Sequence, residues 1–532
     1  MAFLDTAQSI YHKFSAEPAR NRYFYLLIAP IIYIAAYICI YIPIRFLYRI
    51  SLHPLASIPG PKSQLISDTA QRYYWWYQAE NGNFSNILEQ WHQKYGPIFR
   101  FSGNEVHIKD IDNFNQLYKI GTKWPKSKFF YDHPWTGESM IAEMDTNIST
   151  LRRTAYHPYF SRQSVRKLHT LIEAKIDRFL DRLSQFEKSD SVVNISRGFS
   201  CLTCDIITTY SFDACTDSID HPTFSPRHLI ALEETSGTTG YHLLFPSVLH
   251  GSVWLFKNVL GFSAAKKLSS SIADILEFED LCADAALKQK RRWLATGGEA
   301  TSMFTPVFED DIKKGRKAAT DEQLRQDSLL IVMAGMETTS QALSITFFNL
   351  IRYPDVMELL LKEIKTIMPE ISSRPTQDQL DQLPLLRACF KESIRCNPPL
   401  KSPMSRDTPA PGTEFFGYKI PTGTRIMHTM KLFHTDPAVF PDPQKWDPYR
   451  WLAPGANVKE LDNNLLSFSR GSRACIGSDL AWAEASFTIA KLLRRFEISY
   501  SDDFRAERME SVGTMVITLR GSLTVKLKER AG

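Results

Sequence analysis

Cysteine is scarce in this chain. There are eight in 532 residues, at positions 39, 201, 204, 215, 282, 389, 396 and 475, with no disulfide-like rhythm. That excludes a disulfide framework and implies free thiols in a reducing compartment. Neither charge sign dominates: 63 Lys and Arg against 58 Asp and Glu leave +5, without a long basic run, so nucleic acid is not an expected partner. The sequence has no H-E-x-x-H, G-x-S-x-G, G-x-x-x-x-G-K or G-x-G-x-x-G. A zinc peptidase, a serine hydrolase and a nucleotide phosphate loop are therefore excluded, and the chain carries no nicotinamide-binding fingerprint of its own. Cys201 and Cys204 have zinc-like spacing, but no second pair follows, and core packing is the expected role. There is no internal repeat or low-complexity tract, and 44% hydrophobic with 23% charged residues is an ordinary globular balance.

One long apolar run is present. Residues 23–44, YFYLLIAPIIYIAAYICIYIPI, contain no charge. As a helix they would extend roughly 33 Å, enough to cross a bilayer core of about 30 Å. Arg20 and Arg22 precede the run, Arg45 and Arg49 follow it, and tyrosines cluster toward its ends. It is too long and starts too late for a signal peptide, and lacks a small-residue cleavage site. The expected division is an N-terminal segment 1–22, a transmembrane anchor 23–44, a proline-rich connector 45–61 and a catalytic domain 62–532. Prolines 54, 59 and 61 stiffen the connector. Charge on both sides leaves the orientation open.

Helical patterns dominate the remainder. The longest begins at Thr320 and Gln323, which have capping-box spacing, and runs about 32 residues to Pro354. Strand patterns fall near 97–109, 414–428 and 514–527, the last read as a hairpin turning at Arg520–Gly521. The expected class is mainly α with smaller β sheets.

Four stretches break these patterns. In FSRGSRACIG (468–477), Cys475 stands just ahead of a helical pattern, where unpaired N–H groups and the helix dipole favour a thiolate, so it should ionise readily. Gly471 and Gly477 allow a tight turn and close approach to something flat, Phe468 covers the sulfur, and Arg473 offers a fork for a carboxylate. A thiolate beside a planar dicarboxylate points to cysteine-ligated haem. In KESIR, Glu392 and Arg395 are helix neighbours, which alone would read as a surface ion pair. In AGMETT (334–339), a glycine, a glutamate and paired threonines interrupt an apolar helix, and a threonine bonded to its own helix carbonyl is the plain alternative. The fourth stretch is STLRRTAYHPYFS, with Arg153.

Together these motifs resemble the cytochrome P-450 superfamily. Phe468, Gly471, Arg473, Cys475 and Gly477 match F-x-x-G-x-R-x-C-x-G, Glu392 and Arg395 match E-x-x-R, and Pro448 and Arg450 match P-x-R. The match to A/G-G-x-D/E-T-T/S is complete at 334–339. The resemblance implies the superfamily's mainly helical triangular-prism fold, with Cys475 as axial ligand of haem b. Arg473, Arg153 and Arg406 would contact its propionates, although Ser149 stands where a Trp or His is expected. Glu392, Arg395 and Arg450 would form a structural lock. Ala334 and Gly335 would leave room for dioxygen, with Thr338 hydrogen-bonding it and Glu337 relaying protons.

The implied activity is a monooxygenase using O2 and electrons from NADPH through a reductase, with cytochrome b5 as a second donor. The connector and the RRTAYHPYFS region are most similar to fungal secondary-metabolism members such as trichodiene oxygenases. Aromatics in KWPKSKFFYDHPWTG favour a bulky apolar substrate such as a terpenoid. The expected location is the endoplasmic reticulum membrane, single-pass, with the catalytic domain in the cytosol, which would leave the sequons at Asn83, Asn147 and Asn194 unmodified. A non-oxygenating isomerase or dehydratase of the same fold, and a haem sensor or electron carrier, are the competing readings. An intact threonine motif argues against both.

Overall fold

The computed structural model describes residues 29–530 apart from 133–136, 238–243, most of 261–269, 300, 506–510, 513–517 and 520. The apolar segment is helical over Ala29–Ala36, passes through a π turn at Tyr37–Tyr41 and continues as Ile42–Ser51. Its part from Ile31 to Ser51 has mean hydropathy 1.8 and no buried residue in its most apolar window. Residues 23–28 of the expected anchor lie outside the described residues. The helix outruns the expected boundary at Ile44 by seven residues, because RFLYRIS contains no proline to stop it. The turns of the connector therefore begin only after Ser51.

The domain is built on the long helix Asp321–Arg352, and the predicted capping box closes its start: Thr320 Oγ1 accepts from Gln323 N and Gln323 Oε1 accepts from Thr320 N, both at 3.1 Å. Twenty of its residues are buried, so it is a core helix rather than an amphipathic surface one. Helix Ile195–Phe212 packs along it, and carries Cys201 and Cys204 fully buried. Helices Pro384–Cys396 and Ser478–Arg495 pack against other faces of the long helix.

The largest sheet lies apart from this helical mass. Ile98–Ser102 pairs antiparallel with Glu105–Ile108, which runs parallel to Arg425–His428, which is antiparallel to Met404–Asp407. The expected C-terminal hairpin is differently paired. Thr524–Glu529 lies antiparallel to Phe496–Tyr500, while Thr518–Leu519 pairs with Ser511–Val512; Arg520 lies outside the described residues. Alternation predicts a strand but cannot name its partner.

Candidate haem site

The cysteine loop is shaped by two left-handed residues, Ser469 (φ +54°) and Gly471 (φ +67°). At Gly471 a Cβ would sit 1.7 Å from the Tyr118 carbonyl oxygen, so only glycine fits both the conformation and the approach. Nothing lies within 4 Å of the corresponding position at Gly477, so no protein group demands glycine there. The Phe468 carbonyl accepts from Cys475 N at 2.8 Å, closing the loop, and Gly477 precedes helix Ser478–Arg495. Cys475 keeps accessible surface although protein atoms crowd it. Burial raises its thiol pKa, and the Gly477 N–H and Arg153 pull against that rise without cancelling it. Desolvation therefore works against the ionisation that the helix terminus favours, and a positive charge beside the sulfur would favour the thiolate.

Four cations gather beside this loop. Arg153 comes from helix Thr146–Tyr156 and donates to the Ala474 carbonyl. Arg406 comes from the outer strand of the large sheet, and Lys126 from a segment bridged to Arg406 in β fashion. Arg473 comes from the loop itself, and its guanidinium donates to the carbonyls of Glu143 (3.0 Å) and Asp145 (3.3 Å). Among the described residues, none of the four forms an ion pair with a carboxylate. Burial, then Arg406 and Arg153, push Arg473 down to about 10; burial and the three arginines push Lys126 far below its usual value. Arg406 is fully buried, and its Nε and Nη2 have no partner. The hydroxyls of Ser149 and Ser405 are likewise buried and unpaired. Unanswered buried donors of this kind are costly unless a ligand meets them. A planar dicarboxylate laid against Cys475 supplies the missing acceptors, so the residues present fit haem.

Sequence reasoning missed Lys126. It is one of three lysines in KWPKSKF, and only burial distinguishes it. The aromatics of the same stretch do not act as expected. Trp124 stacks on Phe415 at 5.9 Å, Phe130 on Trp75 at 6.5 Å, and Phe129 lies under Arg72 and Arg425. Tyr131 takes Lys126 on its ring at 4.3 Å, and Trp135 is outside the described residues. These rings are committed to other packing, so they give no argument about substrate.

The wall formed by the long helix behaves differently at adjacent positions. Ala334 is exposed within a mostly buried helix, and Thr338, one turn on, donates from Oγ1 to the Ala334 carbonyl at 2.8 Å. The side-chain direction of Gly335 points at the neighbouring helix. A Cβ there would meet Ile207 Cγ1 at 2.9 Å, so this glycine serves the close packing of the two helices. Thr203 Oγ1 reinforces the contact by donating to the Met336 carbonyl at 2.9 Å. The Glu337 carboxylate accepts from Gln341 at 3.5 Å.

Beneath the loop, Glu392 and Arg395 are fully buried, which excludes a solvated surface pair. Arg395 Nε and Nη2 donate to the two carboxylate oxygens at 2.8 Å. Arg450 Nε, Trp451 Nε1 and Asp447 N donate to the same carboxylate at 2.9–3.0 Å. Burial pushes Glu392 up, but these donors outweigh it and hold the carboxyl below its usual value. Arg395 Nη1 reaches the His434 carbonyl at 2.7 Å, and the His434 ring accepts from Leu466 N at 2.8 Å. The lock is thus bonded through His434 to Leu466, in the segment that leads into the cysteine loop.

Comparison with known proteins is consistent with this geometry. The family model described as Cytochrome P450 matches residues 72–525. The cytochrome P450 monooxygenase TRI4 of Trichoderma arundinaceum is 29% identical over 470 residues, covering 86% of this chain and 87% of the relative. MO6277 of Ascocoryne sarcoides, a cytochrome P450 monooxygenase, is 30% identical over 472 residues (86% and 90%), and aflU of Aspergillus parasiticus, named likewise, 28% over 491 residues (91% and 95%).

Proposed function

The chain belongs to the cytochrome P450 family, with fungal secondary-metabolism monooxygenases as relatives, and from that premise we propose that it is a membrane-anchored enzyme oxidising a bulky apolar metabolite of terpenoid type. The observation that carries the oxidative chemistry is the cluster beside Cys475 of four cations without a carboxylate partner among the described residues, with Arg406 Nε and Nη2 unpaired. When bound there, thiolate-ligated haem supplies the activation of dioxygen. Cys475 donates the thiolate; Arg153, Arg406 and Lys126 take the carboxylates; and Arg473 ties the loop to residues 143–145 before any of its donors turns to the ligand. Thr338 Oγ1 holds one proton on the Ala334 carbonyl, and turning that hydroxyl away from its own helix would make it a donor beside the exposed Ala334. Glu337, on the same turn, is the expected relay from solvent.

Electrons arrive from an NADPH-dependent reductase, with cytochrome b5 as a second donor. A groove of about 250 Å³ on the cysteine-loop side is bordered by Phe468, Arg162, Arg166, Arg387 and Lys391 together with Asp381 and Asp479. Arg162, Arg166 and Lys391 already pair with aspartates, which leaves Arg387 as the cation available to an acidic partner. The apolar helix supports anchoring in the endoplasmic reticulum membrane, with the domain in the cytosol. Exposed Phe245, Val248 and Trp254 on and before helix Pro246–Leu255 support a second contact with lipid. The terpenoid assignment is supported by the likeness to fungal monooxygenases, not by the aromatic stretch. Product analysis after expression with a reductase and candidate terpenoids tests the proposal. An oxygenated product dependent on NADPH is expected, and an isomerised or dehydrated product formed without NADPH would overturn it.

A further inference from the structure

The haem machinery leaves one polar cavity unused. It has a volume of about 230 Å³ and lies where the apolar helix meets the catalytic domain. Arg45 and Arg49 reach it from the last turns of that helix, Arg72 from helix Asp68–Glu80, and Arg425 from the strand beside Glu105. Asp68 pairs with Arg45 at 2.9 Å and Arg49 at 2.6 Å, and Glu105 pairs with Arg425. Four guanidinium groups thus face two carboxylates. His53, the remaining imidazole of the wall, is held neutral: burial, then Arg100 and Arg49, push it down to about 4.

Arg72 lies in the longer-range field of Asp68 but is the one guanidinium of these four without a contact ion pair. Among the described residues it makes no ion pair and no hydrogen bond, and its guanidinium rests on the Phe129 ring at 4.4 Å, with Arg425 on that ring at 4.0 Å. Two like charges held on one ring repel: burial, then Arg72, lower Arg425 to about 9. Gln71, 4% exposed, lines the same cavity with its Nε2 donor unpaired, and Glu105, 3% exposed, leaves Oε2 without a donor. A ligand that satisfies all of these carries an anionic oxygen for Arg72 and Gln71 and a hydroxyl for Glu105.

We propose that this cavity binds a hydroxyl-bearing phosphate, supplied by an anionic phospholipid headgroup at the foot of the apolar helix. The phosphate chemistry stands on the cavity alone. The lipid source rests on the anchor reading above, since a helix that ends in bilayer interface delivers headgroups to its last turn, where Arg45 and Arg49 lie. An occupied site would fasten the anchor to the domain through Arg45, Arg49 and Arg72 at once.

The test uses full-length holoprotein in detergent and phosphate-free buffer, titrated calorimetrically with soluble dihexanoyl phosphatidic acid, dihexanoyl phosphatidylcholine and inorganic phosphate. Saturable one-site binding of the phosphatidic acid is expected, tighter than that of the choline lipid, and weakened about tenfold or more by Arg72→Gln. Gln71→Leu is the second variant, used if Arg72→Gln fails to retain haem. Inorganic phosphate binding as tightly as the lipid supports the phosphate site and overturns its lipid source. Absence of saturable binding to the wild-type protein, or unchanged affinity in a haem-loaded variant, overturns the site. The probes are soluble, so a protein that fails to associate with membranes refutes the anchor without altering this result.

Discussion

At the scale of single residues, Cys475 and Thr338 carry the most specific expectations. Cys475→Ser removes the only sulfur in the 468–477 loop. The ferrous carbon monoxide complex is therefore expected to lose the red-shifted Soret band of thiolate ligation, and its persistence in purified variant would refute the ligand assignment. Thr338 is bonded to its own helix, which a structural role and a proton-donating role share. They part in turnover. If the hydroxyl directs protons, Thr338→Ala will bind substrate and haem but lose roughly 10²–10⁴-fold in the rate of product formation, and product formed per NADPH will fall as electrons divert to hydrogen peroxide. A purely structural threonine leaves that ratio unchanged and costs only about 1 kcal/mol of stability.

At the scale of elements, the crossing of the long helix and helix Ile195–Phe212 is controlled by a missing side chain. Gly335 admits Ile207 to a distance that no Cβ normally tolerates. Alanine at 335 gains about 1 kcal/mol in helix propensity but must displace Ile207. The clash is expected to win: Gly335→Ala lowers the thermal midpoint, and in an Ile207→Ala background, which removes the Cγ1 it would meet, the same change lowers it much less. Additivity of the two changes, measured by denaturation of both singles and the double, would show that the helices do not meet there.

At the scale of the whole molecule, the apolar helix is proposed to be an anchor separable from the catalytic domain. Deleting residues 1–44 cuts ahead of Arg45 and Arg49, both of which bond to the domain. The truncated protein should load haem normally while a larger share leaves the membrane fraction, as measured by carbonate-free sedimentation and the carbon monoxide spectrum. Truncation that abolishes haem loading would make the apolar segment part of the folding unit.

Acid is expected to act on the large sheet. His92 Nε2 and His107 Nδ1 share a proton at 2.8 Å, and His107 Nε2 meets Thr429 Oγ1 at 2.9 Å. Burial lowers His92 to about 4, and burial with Arg406 and His92 lowers His428 to about 3. These folded values lie below the unfolded value of about 6.5, so the unfolded chain binds more protons in between. The stabilisation is complete above pH 6.5 and is lost as pH falls toward 4. Each such histidine contributes a slope of up to about 1.4 kcal/mol per pH unit. Urea midpoints should therefore drop between pH 7 and 5, and His92→Gln should flatten the drop.

The sequence by itself determined the helical class, the start and length of the long helix, the apolar run and the cysteine loop. Each is written in local spacing: caps, periodicity and a glycine-framed cysteine are near-neighbour patterns. Only the tertiary structure decided what depends on distant partners. It buried Glu392 and Arg395 together, so that a spacing that reads as a surface pair became an interior lock. It assigned Gly335 to helix packing, and Trp124, Phe129 and Phe130 to contacts with other rings and cations. It brought Lys126 beside arginines 27, 280 and 347 residues further along the chain. And it raised the Cys475 thiol where the helix terminus alone would have lowered it. The physical reason is common to all of these. Desolvation and packing depend on everything within a few ångströms in space, and a chain's local pattern specifies only what lies within a few residues along it.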